Sequence, residues 1–272
     1  MTDLSLEQQP EQRTATRRSF PGLQLVRRYM SAFLVFLATL AFLQWGVPAL
    51  DIPPFILPTP TAVLAAGFDP ESTLAYHFGI TALEAIGGLL IGSVLAFLMA
   101  VLFVHVPPLE DALYPWAIVL QTIPLVAIAP MLIIWFGNGM LARMVMSAIF
   151  AFFPMLVNSV RGLRQADRAT LELLQSYAVS PWQLFWTLRM PNSLPFVFTG
   201  LKIASTLAVI GAIVGEFAGA NKGLGFAITI STYYLRTDRT FAAIGCAALM
   251  GISLYLLLVL LERKLVFWQE TI

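Results

Sequence analysis

Few residues in this 272-residue chain could carry out covalent chemistry. The two histidines, His77 and His105, lie near the ends of apolar stretches, and the single cysteine, Cys246, lies inside one. Nucleophilic catalysis needs a base beside the nucleophile, and this composition offers no obvious pair. The G-x-x-x-x-G-K-[ST] loop that cradles nucleotide phosphates does not occur in the sequence. We therefore predict no enzyme activity, no metal and no cofactor on this chain, so that ATP could be used only by another subunit.

Two carboxylates, Glu84 and Glu216, stand inside apolar stretches, where an ionisable group is a functional candidate by default. Glu216 precedes a glycine-rich segment, and we weigh a gating role equally against capping of backbone amides in a re-entrant loop. For Glu84 we favour a position at the outer rim of a helix over a proton-coupled site.

The composition indicates an integral membrane protein. The chain is 58% hydrophobic and 11% charged, with a mean hydropathy of +0.81. Segments of about 20 apolar residues suffice to cross a bilayer. We predict an all-α polytopic membrane protein with six transmembrane helices, five or seven remaining alternatives, at 29–50, 80–104, 113–136, 144–160, 194–217 and 241–266.

The distribution of Lys and Arg predicts that both termini face the cytoplasm, because basic residues concentrate in cytoplasmic loops. With this N-in/C-in orientation, four basic residues fall outside: Arg143, Lys222, Arg236 and Arg239. Twelve fall inside: Arg13, Arg17, Arg18, Arg27, Arg28, Arg161, Arg164, Arg168, Arg189, Lys202, Arg263 and Lys264. Residues 1–28 are then a cytoplasmic tail, and residues 29–272 form a transmembrane domain with a cytoplasmic loop at 161–193.

Polar and small residues inside the spans have structural and functional interpretations. Interhelical hydrogen bonding is the commoner role for any single polar residue, but as a set with Glu216 they are candidates for a substrate path: Gln121, Thr122, Asn138, Ser205 and Thr206. Pro124 and Pro130 predict a kinked third span. Lys202 is expected to reach the inner headgroups. Close helix packing is predicted for Gly87, Gly88, Gly92 and Ser93.

The cytoplasmic loop contains a polar segment, residues 171–191, with helix signals. Ser180, Pro181 and Gln183 have the pattern of a capping box with proline at the first helical position. We predict two short helices, broken at 178–180. They could form an amphipathic hairpin on the inner leaflet or a docking element for a partner protein.

The same segment resembles the cytoplasmic signature of ABC importer permeases, in which E-A-A is followed by glycine and then by I-x-L-P. Glu172, Leu173 and Leu174 occupy the first positions, Ala178 the glycine position, and Leu188, Met190 and Pro191 the end motif. The spacing is kept, but both alanines are leucines and the glycine is an alanine. If that position needs a left-handed backbone, alanine costs about 1 kcal/mol more than glycine.

The resemblance covers roughly the last 220 residues. Four further segments resemble the nitrate, sulfonate and taurine group of these permeases: 52–64, 121–139, 152–163 and 194–228. Within the group, 121–139 and 201–228 look most like permeases for vitamins and their precursors, such as riboflavin or hydroxymethylpyrimidine. This family often carries a basic residue near the position of Glu84, so a changed local partner is an alternative for that residue.

This resemblance implies a multi-pass inner-membrane permease, pairing as a homodimer, that works with a separate ABC ATPase and an extracytoplasmic substrate-binding protein. ATP would be used by the ATPase, and no nucleic acid is involved. The residues implied in ATPase coupling are Glu172, Leu173, Leu174, Ala178, Val179, Ser180, Leu188 and Pro191.

Alternatives remain for the substrate and the mechanism. Sulfonate, taurine or nitrate is the alternative cargo, although the third and fifth spans carry no Lys or Arg at their centres to attract an anion. A secondary transporter is the rival mechanism. Against it stand the lack of obvious internal duplication and of paired acids and bases in the spans.

Overall fold

The computed structural model describes residues 21–268, and helices make up all the regular secondary structure in this part of the chain. Packing divides the chain into two units, residues 1–52 and 53–272. In the first unit, α1 (Pro21–Ala41) continues through a π-helical turn (Phe42–Gly46) into the short α2 (Val47–Ala49). Of the predicted tail, residues 1–20 lie outside the described residues, and 21–28 belong to α1.

The second unit contains ten α-helices among the described residues. In chain order they are α3 (Pro60–Phe68), α4 (Leu74–His105), α5 (Pro107–Leu120), α6 (Ala129–Phe136), α7 (Met140–Arg164), α8 (Arg168–Ser176), α9 (Pro181–Leu184), α10 (Met190–Phe217), α11 (Leu224–Tyr233) and α12 (Thr237–Leu265). Across both units, five described stretches are helical, long and apolar enough to cross a membrane: Met30–Ala49, Leu74–His105, Met140–Arg164, Pro181–Phe217 and Thr237–Leu265.

The predicted third span is not one kinked helix. α5 and α6 are separated by a break and a 3-10 turn (Leu125–Ile128), and their axes differ by 90°. Pro124 explains the break, because proline cannot donate to the helix ladder and displaces the preceding residue from helical geometry. Pro130 does not kink a helix, since it lies in the first turn of α6. The count is therefore five spans, or six if the bent pair crosses as one.

Helices α4 and α7 run parallel to each other in the core. Glu84 pairs with Arg143 near the start of both helices, and Phe103 shares a cluster with Leu163 near their ends. Helix α10 runs antiparallel to α7, because Gly215 lies on Arg143 and Gly200 lies on Asn158. Since α4 and α7 start on the same side, the chain between them must return to that side.

Small residues let these helices approach closely, as predicted. A Cβ on Gly88 would overlap the Ser147 side chain and lie 2.6 Å from the carbonyl oxygen of Met144. Gly92 meets the backbone of Ala148 in the same way. The buried Ser147 hydroxyl joins three helices, donating toward the carbonyl oxygens of Ala85 (3.3 Å) and Ala208 (2.9 Å). These contacts fix α4, α7 and α10 as one packed core.

Candidate functional site

The segment singled out in the predicted cytoplasmic loop forms two short helices, α8 and α9, which together with their connecting turn we call the hairpin (residues 168–184). The predicted capping box at its second helix is confirmed. The Ser180 hydroxyl accepts from the amide of Gln183 at 3.3 Å, and the Gln183 side chain accepts from the amide of Ser180 at 3.0 Å. These two bonds satisfy amides that a helix start leaves open.

The turn of the hairpin has the conformation that favours glycine. Ala178 adopts a left-handed backbone with φ of 53°, and the amide of Val179 bonds to the carbonyl oxygen of Leu174 at 3.4 Å. This bond is the one that closes a Schellman motif at a helix C-terminus. The chain therefore keeps this turn at a cost of about 1 kcal/mol relative to glycine.

The hairpin presents apolar side chains to its surroundings. None of the described side chains from Arg164 to Leu184 is buried. Leu173 is 57% exposed, Tyr177 74% and Trp182 66%. Of the residues predicted to couple to an ATPase, Glu172, Leu173, Ala178 and Ser180 are exposed, whereas Leu174, Val179, Leu188 and Pro191 are half-buried. The apolar side chains of the hairpin are thus not buried by its own bundle.

The second half of the loop differs from the prediction of a separate short helix. α9 continues through a π-helical turn (Phe185–Arg189) into α10, so that Pro181–Phe217 is one continuous helix of 37 residues. Pro191 and Pro195 do not break it. Proline at 191 is tolerated in the first turn of α10, where the ladder is already rearranged by the π-turn. The helix that contains the predicted fifth span therefore begins well before residue 194.

At the other end of this helix, Glu216 holds the N-terminus of α11. Its carboxylate is 1% exposed and accepts from the Thr81 hydroxyl at 2.6 Å and from the amide of Gly225. The neighbouring amides of α11 are also taken, that of Leu224 by Thr81 Oγ1 (2.7 Å) and that of Gly223 by His77 Nδ1 (3.1 Å). Amide capping, one of the two roles weighed for Glu216, is thus present.

At two positions of this turn, the Glu216 side chain leaves room only for glycine. A Cβ on Gly223, whose φ is +100°, would overlap the Glu216 carboxylate, and a Cβ on Gly225 would lie 2.8 Å from the Cβ of Glu216. α11 has only 10 residues, about 15 Å of helix, which is too short to cross a bilayer. The side chains of α4 and α10 therefore anchor a non-spanning helix at its N-terminus.

Glu84 does not lie at an exposed helix rim. Its side chain is fully buried and pairs with Arg143 at 3.1 Å, and Arg143 in turn donates to Asn138 Oδ1 at 3.0 Å. Asn138 then donates to the carbonyl oxygen of Gly219 at 2.8 Å. Arg143, assigned to the outer loop by charge counting, is only 6% exposed. The sequence argument that the spans hold no paired acid and base is therefore wrong.

Three of the remaining candidates for a substrate path form hydrogen bonds within their own segments. Gln121 and Thr122 are exposed at the break after α5, where the Thr122 hydroxyl donates to the carbonyl oxygen of Val119. Ser205 and Thr206 donate to carbonyls of their own helix, those of Lys202 and Ile203.

Two more basic residues are held in ion pairs. Lys202 was expected to reach the headgroups, but its Nζ lies 2.8 Å from Glu262 Oε2 in α12. Arg164 pairs with Glu110, which joins the end of α7 to the start of α5. Both ion pairs connect different helices. The attraction between a basic side chain and a carboxylate is stronger inside a protein, where the dielectric is low, than in water.

A cavity of about 390 Å³ lies where the break between α5 and α6 meets α4 and α7. Its walls are almost entirely apolar and include Ile91, Ile123, Val145, Phe152 and Phe153. Such a wall can hold the flat face of a ring system but supplies few hydrogen bonds. Gln121 and Thr122 are the polar residues that lie in the chain between Leu120 and Ile123, two residues of this wall.

Several residues of these sites were missed by sequence reasoning. From the sequence, Thr81 and His77 could not be distinguished from ordinary polar residues at the start of a span. Arg143 was assigned to a loop. Phe185, buried in the core beside the hairpin, read as one apolar residue among many. Of these residues, only the role of Arg143 had a signal in the sequence. The Glu84 carboxylate lies inside an apolar stretch and therefore implies a basic partner.

Comparisons with known proteins agree on one family. Residues 88–267 match the model of the binding-protein-dependent transport system inner membrane component. The riboflavin transport system permease protein RibX of Chloroflexus aurantiacus is 34% identical over 96% of both chains. The formylaminopyrimidine transport permease protein ThiX of Halalkalibacterium halodurans is also 34% identical, over 85% of this chain and 95% of its own. The taurine transport system permease protein TauC of Escherichia coli is 27% identical, over 86% and 88%. With its apolar helices and its hairpin, the chain belongs to the inner-membrane components of binding-protein-dependent ABC transport systems, as a multi-pass protein of the cell inner membrane.

Proposed function

We propose that this chain is the translocation subunit of an ATP-driven importer for a small organic solute, a vitamin or vitamin precursor. The observation that carries the proposal is the hairpin, a capped and apolar element with no buried side chain among its described residues, in a chain of this family. Apolar surface exposed to water is unfavourable, and an exposed apolar patch is typical of a site that a partner covers.

The partner of the hairpin is an ABC ATPase in this proposal. Glu172, Leu173, Leu174, Ala178, Val179 and Ser180 form the docking surface, and Leu188 and Pro191 connect it to α10. ATP is bound and hydrolysed by that partner, and this chain binds no cofactor. ATPases of this class work as pairs, so we propose a permease homodimer with two ATPase chains. An extracytoplasmic binding protein delivers the solute.

We propose six spans with both termini in the cytoplasm. The parallel arrangement of α4 and α7 supports a crossing by the bent α5–α6 pair, because the chain must return before α7 begins. The antiparallel α10 and α12 then put residue 265 on the side of the hairpin. The excess of Lys and Arg on that side, at 161–189 and 263–264, supports its being cytoplasmic.

For the substrate, we propose a flat, neutral heterocycle of the riboflavin or hydroxymethylpyrimidine type. Two relatives named for a flavin and a pyrimidine support this class. Arg143 and Lys202, which could attract an anion, are each paired with a carboxylate instead. Gln121 and Thr122, exposed beside the apolar cavity, are the proposed polar lining of the path. A sulfonate such as taurine is the second candidate, favoured by the taurine relative.

Binding assays on the partner binding protein separate these substrates. Riboflavin, a hydroxymethylpyrimidine and taurine are titrated in turn, and we expect tight binding of one heterocycle. Tight binding of taurine and of neither heterocycle would overturn the substrate class while leaving the importer assignment intact. Uptake into proteoliposomes with the ATPase, with and without ATP, tests the importer itself.

A further inference from the structure

The hairpin is joined to the transmembrane core by one buried aromatic side chain. Phe185 is 4% exposed and is the first buried residue after the described side chains of 164–184. It belongs to the core cluster that contains Phe103 of α4, together with Leu156 and Leu163 of α7. Burying a phenylalanine in this way stabilises a contact by roughly 1.5–3 kcal/mol.

Phe185 also contacts the end of α4 through a ring. Its ring centroid lies 5.4 Å from that of His105, the last residue of α4. The His105 ring is itself fixed, because its Nδ1 lies 2.8 Å from the carbonyl oxygen of Val101. Phe185 therefore contacts two core helices, α4 and α7, at the same time.

The backbone at Phe185 has an irregular helix geometry. The π-helical turn Phe185–Arg189 begins at this residue, between the capped α9 and the long α10. Trp182 and Trp186, on the preceding and same turns, are 66% and 52% exposed, so that Phe185 alone of these three aromatic residues points into the core. Single π-turns inside helices are frequent at functional sites.

We propose that Phe185 is the positioning residue that transmits movement of the hairpin to the α4–α7 core during transport. This inference rests on the proposed function, since it assumes that an ATPase moves the hairpin. When the hairpin is displaced, Phe185 moves the ends of α4 and α7 with it, and the path opens or closes accordingly. Without the ring, the hairpin still binds the ATPase through its exposed surface, but its movement reaches α4 and α7 only through the continuous helix Pro181–Phe217.

The test is the ratio of solute uptake to ATP hydrolysis in proteoliposomes that contain the whole complex. Uptake of riboflavin, hydroxymethylpyrimidine and taurine is measured separately, and the ratio is taken for whichever the wild type imports. For Phe185→Ala we expect ATPase co-purification and basal hydrolysis to be retained while the ratio falls about tenfold. Trp186 is unsuitable as a control, because its ring centroid lies 5.3 Å from that of Phe185. The matched control is Phe36→Ala, which removes a 58% exposed phenylalanine of α1 and should leave the ratio at the wild-type value.

A purely structural role for Phe185 would lower uptake and hydrolysis together and leave their ratio unchanged, which would overturn the inference. If Phe185→Ala fails to insert, Phe185→Leu fills the pocket without the ring and should lower the ratio about threefold. An unchanged ratio in Phe185→Leu overturns the inference in that case. A wild-type complex that imports none of the three solutes with ATP overturns the proposed function and this inference with it.

Discussion

At the scale of single residues, exposure separates Glu172 from two buried glutamates, Glu84 and Glu216, which interact with each other. Glu172 is exposed on the hairpin, Glu216 is buried against backbone amides, and Glu84 is buried against an arginine. A carboxylate withdrawn from water is tolerated only where hydrogen bonds or an opposite charge replace the lost hydration. Exposure and hydrogen-bond partners therefore distinguish these glutamates, which the residue type alone does not.

Replacing Glu216 should destabilise the protein in a graded way. Glu216→Ala leaves the Gly225 amide without its acceptor and the Thr81 hydroxyl with only the carbonyl oxygen of His77, a loss of about 1–3 kcal/mol. Glu216→Gln keeps one accepting oxygen and should lose less. Thermal unfolding of the detergent-solubilised protein should thus rank wild type above Gln and Gln above Ala. Equal unfolding temperatures for the two variants would contradict the capping role.

The Glu84 and Arg143 pair should be strongly coupled. Removing one partner, in Glu84→Leu or Arg143→Met, leaves the other charge buried and should cost about 3–5 kcal/mol. The double variant should cost far less than the sum of the two, because neither charge is left alone. A double-mutant cycle on unfolding free energies measures this coupling. Additive losses would show that the two side chains act independently.

Charge reversal on the hairpin should separate insertion from transport. Glu172→Lys, or Val179→Arg beside the turn, should abolish ATP-driven uptake while the protein still inserts in the membrane, because each places an unmatched cation on the docking surface. Ala169→Lys, an exposed change near the start of α8, serves as the control for added charge. If both variants transported like the control, the hairpin would lie on the membrane surface instead.

At the scale of helices, the packing of α4 depends on where its glycines face. Gly88 lies against α7 with no room for a methyl group, whereas Gly79 on the same helix has no atom within 4 Å of an added Cβ. Gly79 and Gly88 lie on the same helix but differ in packing. A comparison of the two therefore tests the contact with α7 while the helical backbone stays the same. Alanine at each position isolates the effect.

Gly88→Ala should destabilise the bundle by about 1–3 kcal/mol, as overpacking does in a filled core. Gly79→Ala should be neutral or slightly stabilising, because alanine favours a helix over glycine by up to about 1 kcal/mol. The unfolding temperatures of the two single variants test this predicted difference in stability. A Gly79→Ala protein as unstable as Gly88→Ala would mean that propensity or folding kinetics, rather than contact with α7, governs both.

Sequence reasoning located the helices better than their connections. Apolar length marked the spans, Ser180 and Gln183 marked a helix start, and the spacing of Gly88 and Gly92 marked a packing face, because each signal is local in the chain. Tertiary contacts, by contrast, join residues that are distant in the chain and leave no such local signal. The pairing of Arg143 with Glu84, and the burial of Phe185, depend on which helices lie side by side. The 90° break at Pro124 exceeded the expected kink, since proline indicates where a helix can bend but not by how much.

At the scale of the whole molecule, one chain of 29.9 kDa carries one hairpin. An importer whose ATPases act in pairs needs two such hairpins, and a homodimer supplies them by symmetry. We expect purification in mild detergent to yield two permease chains with two ATPase chains, as measured by native mass spectrometry. A single permease chain that catalyses uptake with one ATPase would contradict this assembly.

The continuous helix Pro181–Phe217 has a mechanical consequence. Its 37 residues extend about 55 Å, well beyond the roughly 30 Å hydrocarbon thickness of a bilayer. It begins at the capped turn of the hairpin and ends at the Glu216 carboxylate that holds α11. Because α10 packs against α4 and α7 along its length, through Gly200, Ala208 and Gly215, a movement of the hairpin cannot turn this helix alone. The helix instead ties the hairpin to Glu216 and α11, so that a displacement at one end is carried through the packed core toward the other.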